Sequence, residues 1–500
     1  MTELFNASRY LLDRHIEAGN GARPALTGVR GELSYAQLHD RVCRVASGLR
    51  ERGLQPEQRL VMYMADSPEF VTLYLAALRM GAVPVPVSTM LKAPDLAILL
   101  RDSRARLLAI SPDYQEIAAQ AAAQAPELTG ILDSLPEGDR DEFVYDTTED
   151  SPAFWLYTSG TTGKPKGAMH RHGAVRVVYE TYGAQVLGIR PEDRCLSAAK
   201  AFFAYGLGNS VLFPLSVGAT SILEPSPSKP DVIVARARQF GATLFFAGPT
   251  FFANMLHAQL PADSLAGVRL ATSAGERLPA PLQTRWTERF GPDILDGLGM
   301  TEMLHIFLSN RPGRVRPGTT GEPVPGYELR ILNDDGEEVP PGTAGTLFVR
   351  GESAATGYWS RYAASRQVFQ GEWLRTGDTY VQEADGSYTC LGRTDDMLKA
   401  SGIWVSPAEV EERLLAHEAV TAAVVVSATD ADDLEKPVAF VISSTVTEQE
   451  LVAFCRAALP AFKCPRRIIF IDAFPATATG KIRRVELRAL AASALTEVPA

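Results

Sequence analysis

Helical and strand patterns alternate along much of this chain of 500 residues. An amphipathic helical pattern over 34–53 is followed by an apolar strand pattern at 59–64 and by a second helical pattern at 67–81. The same order of helix and strand recurs at 95–110 and at 232–248, where a glycine separates the two elements. Because such alternation places helices over parallel strands, it predicts an α/β fold with doubly wound sheets.

A change of pattern divides the chain into units. From about Thr319 to Gly392 short strands alternate with turn residues, which predicts a β-rich subdomain. A smaller alternation of helices and strands follows Arg393, and a chain of this length exceeds one ordinary domain. We therefore predict a large N-terminal domain at 1–393, with its β-rich subdomain at about 319–392, and a small mobile α+β domain at 394–500.

Composition excludes several classes of function. Lys+Arg number 49 and Asp+Glu 59, a net charge of −10, so the chain lacks the positive surface that nucleic acid binding needs. The five cysteines show no CxxC spacing, which argues against a disulfide framework or zinc site and predicts a cytoplasmic location. Residues 201–223 are uncharged, but glycines and a proline interrupt them, which favours turns and a buried helix over a membrane span. We expect neither a nucleic acid nor a membrane partner.

The most informative segment lies at 154–170 and has the sequence FWLYTSGTTGKPKGAMH. An apolar strand leads directly into glycines, hydroxyl side chains and lysines. Glycines allow backbone N–H groups to turn toward an anion, hydroxyls donate hydrogen bonds, and ammonium groups offset negative charge. The segment predicts a polyphosphate site, although its spacing is not that of a Walker A loop and an ordinary surface loop is the alternative. The candidate residues are Thr158, Ser159, Gly160, Thr161, Thr162, Gly163, Lys164 and Lys166.

The string TSGTTGKPKG resembles the signature of the superfamily of AMP-forming acyl and aryl CoA synthetases, adenylation domains and luciferases. Further segments resemble later motifs of that superfamily and occur in the same order along the chain. They are SAGERL at 273–278, DGLGMTE at 296–302, LRTGD at 374–378, GRTDDMLKASG at 392–402 and TATGKIRR at 477–484. The resemblance implies ATP, Mg²⁺ and coenzyme A as cofactors and an acyl adenylate as the intermediate.

The resemblance also implies roles for individual residues. Thr301 and Glu302 are implied to be catalytic residues, and Glu302 matches a carboxylate that holds Mg²⁺, for which Thr162 is a second candidate ligand. Asp378 and Arg393 match residues that contact ribose; without the family context they are a turn residue and part of an interdomain salt bridge. Further nucleotide contacts are implied for Ala274, Gly275, Glu276, Asp296, Gly297 and Leu298.

The small domain is expected to contribute to both steps of the reaction. Attack of a carboxylate on the α-phosphate of ATP builds negative charge, which resembling enzymes offset with a lysine matched here by Lys481. In those enzymes the small domain then rotates about a hinge, matched by Asp395, and presents other residues to the thiol substrate. The matching residues are Lys399, Ser401 and Gly402, and Arg466 is a candidate contact for coenzyme A.

The nature of the acid follows from the residues expected around its pocket, at 202–209, 273–276 and 297–307. The segment 199–213 contains no acidic side chain to pair with the ammonium group of an amino acid, which argues against amino-acid activation. Its aromatic and small residues favour a flat aromatic acid, with plain core packing as the alternative. The chain also resembles the benzoate-CoA ligase branch, which implies the pocket residues Ala204, Tyr205, Gly299, Met300, His305 and Ile306.

Two residues depart from the patterns of the resembling enzymes. Leu298 stands where many superfamily members have a tyrosine that stacks on adenine, although an aliphatic residue is also usual in the benzoate branch. Met300 replaces a small serine, and its thioether adds volume. We therefore expect a reshaped pocket and a preferred acid other than unsubstituted benzoate. His305 either donates a hydrogen bond to a ring substituent or is a structural histidine that the backbone satisfies.

These observations predict ATP-dependent activation of benzoate or a substituted benzoate through acyl-AMP to its CoA thioester, with release of AMP and pyrophosphate. A nearby alternative is an aryl acid ligase that loads the phosphopantetheine of an acyl carrier protein, since Lys463, Arg466 and Arg467 suit either acceptor. A more distant alternative is a non-catalytic nucleotide-binding scaffold, which the retention of the candidate catalytic residues disfavours. The sequence does not decide the oligomeric state, for which a homodimer is one candidate.

Overall fold

The structure is a computed structural model of the chain. It describes residues 3–159, 165–394, 397–400, 403–429, 435–443, 445–475 and 482–496. Within these ranges, no helix combines the length and the apolar character that crossing a bilayer requires. The uncharged segment 201–223 forms short buried helical segments over 204–217, as its glycines and proline predict, but it ends in a buried strand at 220–223 that was not predicted.

The N-terminal part of the chain alternates helices and strands. Its elements are α1 (Ala7–Leu11), α2 (Asp13–Glu17), β1 (Pro24–Gly28), β2 (Gly31–Ser34), α3 (Tyr35–Glu51), β3 (Arg59–Tyr63), α4 (Pro68–Arg79), β4 (Val83–Pro86), α5 (Ala93–Ser103), β5 (Leu107–Ile110), α6 (Gln115–Ala122) and β6 (Gly130–Leu132). Strands β3 to β6 form a parallel sheet in the order β4-β3-β5-β6. Its central strands are buried, because helices cover the faces of such a sheet.

The central part of the chain supplies most of a larger sheet. Its elements are β7 (Pro152–Ser159), β8 (Pro165–Arg171), α7 (His172–Val178), β9 (Arg194–Ser197), α8 (Ala204–Leu207), α9 (Phe213–Val217), β10 (Thr220–Leu223), α10 (Pro230–Phe240), β11 (Leu244–Ala247), α11 (Pro249–His257), β12 (Leu270–Ser273), α12 (Ala280–Phe290), β13 (Ile294–Gly299), β14 (Ile306–Ser309) and β15 (Glu322–Pro323). Two π-helical segments (Tyr179–Gly183 and Gly208–Leu212) and a 3₁₀ turn (Thr301–Met303) lie between them.

Nine strands make this larger sheet, in the order β15-β14-β13-β12-β11-β9-β10-β1-β2. Its six inner strands, from β13 to β1, are parallel. At one edge β2 pairs antiparallel with β1, and at the other β14 pairs antiparallel with both β13 and β15. The two sheets confirm the doubly wound α/β fold, and the antiparallel edges are a refinement that the alternation of elements did not predict. Antiparallel edge strands on a parallel sheet are common in large α/β proteins.

A β-rich unit follows the large sheet. Its elements are β16 (Glu328–Leu332), β17 (Gly345–Arg350), α13 (Tyr362–Val368), β18 (Phe369–Gln370), β19 (Trp373–Gln382) and β20 (Tyr388–Arg393). The five strands form one antiparallel sheet, in which β19 pairs with β17, β18 and β20. The turn chemistry of this region, with glycine at positive φ after β16 (Gly336) and before β20 (Gly386), explains the short strands.

The C-terminal part forms a small unit with its own core. Its elements are β21 (Leu398–Ala400), β22 (Ile403–Val405), α14 (Pro407–Leu415), β23 (Ala422–Thr429), β24 (Glu435–Ile442), α15 (Glu448–Arg456), β25 (Arg467–Phe470) and α16 (Arg484–Thr496). Strands β23, β24 and β25 form one sheet and β21 and β22 a separate hairpin. Val410, Val425 and Leu451 are buried between this sheet and its helices, so the unit buries an apolar core of its own.

Candidate active site

Two of the sequence motifs lie side by side at the carboxyl edge of the large sheet. Strands β12 and β13 are parallel neighbours, with Ser273 opposite Asp296. Residues 274–276 directly follow β12, and residues 297–299 form the last part of β13. Ligands of open α/β sheets bind in the crevice outside the carboxyl ends of such strands. The structure therefore brings these two groups of nucleotide candidates to one place.

The residues after β12 form an open turn. Ala274 is buried, and Gly275 has a φ of +98° with open space where a Cβ atom would lie, so a glycine suits this turn. Glu276 accepts a hydrogen bond from the Thr250 hydroxyl at 3.0 Å. This contact ties the turn to the beginning of α11.

Asp296 is the buried carboxyl of this edge. Burial raises its pKa to about 7, although Ser273 and the Arg277 guanidinium favour its charged form. Its Oδ1 atom is buried without a hydrogen-bond partner among the described residues. Since buried polar atoms normally have partners, Oδ1 is an acceptor available to an N–H group of a ligand.

Glu302 lies in the 3₁₀ turn that follows β13. Leu304, with a φ of +64°, reverses the chain after this turn so that β14 can pair with β13. The Glu302 side chain is buried, and its Oε1 atom accepts a hydrogen bond from the Tyr358 hydroxyl. Burial and the neighbouring Glu302 carboxylate raise the pKa of Tyr358, so its hydroxyl remains a donor. The turn and this hydrogen bond hold the carboxylate in one orientation.

The phosphate-loop candidates lie on and beyond an antiparallel hairpin. In it Thr158 of β7 is opposite Lys166 of β8, and Ser159 is opposite Pro165. The Lys166 Nζ atom lies 5.4 Å from the centroid of the Tyr358 ring, so the hairpin and Glu302 share a neighbour. The connecting residues Gly160, Thr161, Thr162, Gly163 and Lys164 lie outside the described residues.

The two ribose candidates form a cross-strand pair. Asp378 of β19 is directly opposite Arg393 of β20, and the Arg393 Nη1 atom donates to Asp378 Oδ1 at 3.1 Å. The same nitrogen donates to the Thr376 carbonyl at 3.2 Å. A Cβ atom on Gly377 would lie 2.8 Å from Arg393 Nη2, so the glycine leaves room for the guanidinium. Arg393 thus pairs within the β-rich sheet.

The acid-pocket candidates come from three elements. Ala204 and Tyr205 lie on α8, Gly299 ends β13, and His305 and Ile306 begin the return strand β14. The Tyr205 hydroxyl lies 2.6 Å from Thr272 Oγ1 and donates to the Thr272 carbonyl at 3.0 Å. His305 Nε2 lies 3.3 Å from the Tyr205 carbonyl oxygen. These hydrogen bonds connect α8 to β12 and to the start of β14.

Three aromatic side chains surround the ring of His305. Its ring centroid lies 4.5 Å from that of Phe213, 5.4 Å from Tyr205 and 5.5 Å from Tyr182. Burial lowers the pKa of His305 to about 3, so the ring is neutral at physiological pH. Because Nε2 faces a carbonyl oxygen, we assign the proton to Nε2 and leave Nδ1 as an acceptor. Nδ1 is buried and has no hydrogen-bond partner among the described residues.

His305 therefore forms a hydrogen bond to a backbone carbonyl through its Nε2 atom, as expected for a structural histidine. A hydrogen bond from His305 to a ring substituent would have to involve its other nitrogen, and it stays a prediction. A Cβ atom on Gly208 would lie 2.3 Å from His305 Cδ2, so a residue with a side chain at 208 would displace the ring. The uncharged run around Gly208 did not single out this glycine from its neighbours.

Two candidates of the small unit lie among the described residues. Lys399 lies in β21, with its backbone opposite Trp404 of β22. Arg466 is exposed just before β25, and its N–H donates to the Pro437 carbonyl at 2.7 Å. The remaining candidates lie outside the described residues and are Asp395, Ser401, Gly402 and Lys481.

Tyr358 and Thr272 are site residues that sequence reasoning missed. Tyr358 is 56 residues from Glu302 in the chain, and Thr272 is 67 residues from Tyr205. Tyr358 belongs to a Gly-Tyr-Trp stretch, which carries no charge or phosphate-binding pattern of its own. Only the packing of the β-rich unit against the large sheet shows its role.

The Glu302 carboxylate, close to the β7–β8 hairpin, suits a nucleotide-bound metal ion. The described residues contain no group of three or more His, Cys, Asp or Glu side chains that could hold a metal by themselves. Mg²⁺ is usually held by one or two carboxylates together with substrate phosphates. The single oriented carboxylate of Glu302 fits that pattern and would be a ligand.

Known proteins match the chain over nearly its whole length. The model of the family described as AMP-binding enzyme matches residues 12–359, and that of the AMP-binding enzyme C-terminal domain matches residues 409–481. Benzoate–CoA ligase of Thauera aromatica is 42% identical over 506 residues, which cover 97% of this chain and 96% of that protein. The 4-hydroxybenzoate–CoA/benzoate–CoA ligase of Rhodopseudomonas palustris is 40% identical, with 97% and 94% covered.

Solved structures agree with these matches. An anthranilate CoA ligase, AuaEII, in complex with anthranoyl-AMP superimposes with a TM-score of 0.95 at 36% identity, covering 99% of this chain and 98% of that one. A benzoate CoA ligase from Burkholderia xenovorans LB400 gives a TM-score of 0.90 at 41% identity, covering 97% and 100%. The chain belongs to the AMP-binding enzyme family. Within it, the protein is an AMP-forming CoA ligase, for which ATP, Mg²⁺ and coenzyme A are the cofactors.

Proposed function

We propose that this protein activates an aromatic carboxylic acid, benzoate or a substituted benzoate, to its CoA thioester. The acid and ATP give an acyl-AMP and pyrophosphate, and coenzyme A then displaces AMP. The observation that carries the proposal is the neutral, aromatic surround of His305 and Tyr205 beside the nucleotide edge of the large sheet. Aromatic rings pack favourably against such side chains, and a flat acid carries no ammonium group that needs an acidic partner. Relatives named as acting on benzoate and 4-hydroxybenzoate support it.

The residues of the large domain would bind and orient ATP. Asp378 and Arg393 would hold the ribose, and the N–H groups and side chains around Thr158 and Lys166 would hold the phosphates. Glu302 would hold Mg²⁺, which when bound supplies positive charge to the phosphates. Asp296, whose Oδ1 has no partner within the described part of the chain, would accept a hydrogen bond from the base.

The small domain, which we propose to span 394–500, would act in both half-reactions. Lys481 would stabilise negative charge while the carboxylate attacks the α-phosphate. Rotation about Asp395 would then bring Lys399, Ser401 and Gly402 to the thiol. Arg466 is exposed and would contact coenzyme A, whereas Lys463 is paired with Glu409 at 2.7 Å.

A panel of aryl and short alkyl acids tests the proposal. AMP and thioester formation are measured with coenzyme A, with a phosphopantetheine-bearing carrier protein, or with neither. We expect aryl acids to give the highest kcat/KM and coenzyme A to be the acceptor. Lys481→Ala is the control for catalysis and should lower acid-dependent pyrophosphate exchange about a hundredfold.

Each other outcome favours a different function. Acetate or hexanoate above every aryl acid would overturn the aromatic assignment. Thioester formation only with the carrier protein would favour the carrier-loading alternative. Absence of pyrophosphate exchange with all acids would favour a nucleotide-binding scaffold.

A further inference from the structure

The loop between β9 and α8 directly precedes the helix that carries the acid-pocket candidates Ala204 and Tyr205. Phe203 N–H donates to the Lys200 carbonyl at 3.0 Å, and Leu207 N–H donates to the Phe203 carbonyl at 2.8 Å. A Cβ atom on Gly206 would lie 2.0 Å from the Lys200 carbonyl oxygen, so α8 packs directly on the main chain of Lys200. The place of Tyr205 therefore depends on where the main chain runs at 200–201.

A carboxylate from a different sheet holds this main chain. Asp66 lies in the loop after β3 and is only 3% exposed. The Ala201 N–H lies 3.1 Å from Asp66 Oδ1 and 3.2 Å from Asp66 Oδ2, in a contact between residues 135 apart in the chain. Asp66 thus joins the carboxyl edge of the four-stranded sheet to the pocket side of the nine-stranded sheet.

The charged groups around Asp66 are held in place by hydrogen bonds and an ion pair of their own. The Lys200 ammonium donates to the carbonyls of Glu224 and Ser226, both at 2.6 Å, and the Glu224 carboxylate pairs with Arg236 at 2.5 Å. Burial raises the pKa of Asp66 to about 6, with the Lys200 ammonium lowering it and the Glu224 carboxylate raising it. Asp66 is therefore mostly ionised at neutral pH and is an acceptor at both oxygens. Burying a carboxylate is costly unless it is hydrogen-bonded, so the Ala201 contact matters to this site.

We propose that Asp66 is a positioning residue of the acid pocket, which holds the main chain at Ala201 so that α8 presents Ala204 and Tyr205 to the aromatic acid. The role of Asp66 rests on the proposed function, since it concerns the binding of the acid. In the proposed function the phosphates and the ribose would be held by residues of β7, β8, β19 and β20, and none of these strands carries this loop. Loss of the Asp66 contact should therefore weaken binding of the acid and leave binding of ATP unchanged.

A graded series of variants with a matched control tests the proposal. Asp66→Ala removes both acceptors of the Ala201 N–H, and Asp66→Asn keeps one. The control is Ser111→Ala, because the Ser111 hydroxyl accepts the N–H of Ala65, the residue next to Asp66, at 3.0 Å. Ser111 is equally buried, so its variant also leaves a buried backbone N–H unpaired but does not touch the pocket loop.

We expect Asp66→Ala to raise the KM of the acid about tenfold and Asp66→Asn to raise it about threefold, with little change in the KM of ATP. Ser111→Ala should lower the melting temperature as Asp66→Ala does, without changing the KM of the acid. Hydrogen exchange of the peptide that contains Ala201 should quicken in Asp66→Ala and stay normal in Ser111→Ala. If Asp66→Ala does not fold, Asp66→Asn carries both measurements.

An unchanged KM for the acid in the Asp66 variants would overturn the proposal, as would equal increases in the KM of acid and ATP or an equal effect of Ser111→Ala. Failure of the wild-type protein to use any aryl acid would instead count against the proposed function. In that case hydrogen exchange at Ala201 still tests whether Asp66 holds the loop.

Discussion

Met300 is a candidate residue of the proposed acid pocket and has a flexible thioether side chain. It is half-buried, it precedes the 3₁₀ turn that contains Glu302, and its carbonyl accepts the Met303 N–H at 3.1 Å. The backbone hydrogen bond is available to any residue at this position, so replacing Met300 changes the pocket without removing the turn. We therefore propose that the side chain at position 300 adjusts the shape of the acid pocket, while its main chain supports the turn that contains Glu302.

Met300→Ser tests whether this side chain reshapes the pocket. Removing the thioether frees volume, so we expect kcat/KM for bulkier ring-substituted benzoates to rise relative to benzoate, by about fivefold or more. The measurement is kcat/KM over a series of substituted benzoates. Met90→Ser is the control, because Met90 is exposed. An unchanged ranking of the acids in Met300→Ser would contradict the prediction.

At the scale of elements, three N-terminal helices are joined by buried charges. Asp13 of α2 accepts two hydrogen bonds from the Arg79 guanidinium of α4, at 2.8 and 2.9 Å. His39 of α3 lies 3.5 Å from the same carboxylate through its Nε2 atom. Hydrogen bonds to Asp13 and Cys43 raise the pKa of His39 to about 9, against the effect of its burial. The charged form of His39 therefore favours the folded state.

The pH dependence of stability tests this cluster. Because the pKa of His39 is raised from 6.5 to about 9, protonation of His39 contributes its full stabilisation of the folded state below pH 6.5. This stabilisation is lost as the pH rises toward 9. Each pKa unit corresponds to about 1.4 kcal/mol, so the full effect is on the order of 3 kcal/mol. We expect His39→Gln to lower the melting temperature by about 5 °C at pH 6 and much less at pH 9.5. Calorimetry of the wild-type protein and the variant at several pH values measures these changes in melting temperature.

The matched control for this prediction is His257→Gln, since His257 is exposed at the end of α11. It should leave the melting temperature unchanged at every pH. A loss of stability in His39→Gln that is equal at pH 6 and pH 9.5 would show that packing, and not the charge of His39, accounts for the effect.

At the scale of the whole molecule, one ion pair links the two domains that we propose. Arg277 Nη2 lies 2.5 Å from Glu412 Oε2 on α14, and Arg277 Nη1 donates to the Ala408 carbonyl at 3.2 Å. Arg277 follows the turn at 274–276 and its charge also acts on the buried Asp296. The same side chain thus contacts the small domain and influences the nucleotide edge, so it is suited to stabilise one orientation of that domain.

Glu412→Ala tests whether this pair sets the balance between orientations. Loss of the ion pair should slow the half-reaction that uses the observed orientation of the small domain by about threefold to fivefold. The other half-reaction should be unchanged or faster. Pyrophosphate exchange measures the first half-reaction, and thioester formation from isolated acyl-AMP measures the second. Glu409→Ala is the control, because Glu409 lies on the same helix but pairs with Lys463 inside the small domain. Equal slowing of both half-reactions, or the same pattern in the control, would contradict the prediction.

Features that depend on a local pattern of residues were predictable before the structure was known. The alternation of apolar helices and strands predicted the α/β sheets, because the period of burial is set within each element. The glycine, hydroxyl and lysine run after β7 predicts a polyphosphate site, which stays a prediction, and the ordered motifs predicted the superfamily that the comparisons confirm. These signals lie within short stretches of chain, so they can be recognised before the chain is folded.

The tertiary structure alone decided which distant residues support the site. Tyr358 bonds Glu302, Thr272 bonds Tyr205, and Asp66 holds Ala201, across 56, 67 and 135 residues of chain. No periodicity or spacing encodes such contacts, since each depends on how separate sheets pack at a shared edge. Buried polar groups must find partners wherever packing brings them. Those partners, and the His305 nitrogen that has no partner among the described residues, become visible only when the elements are assembled.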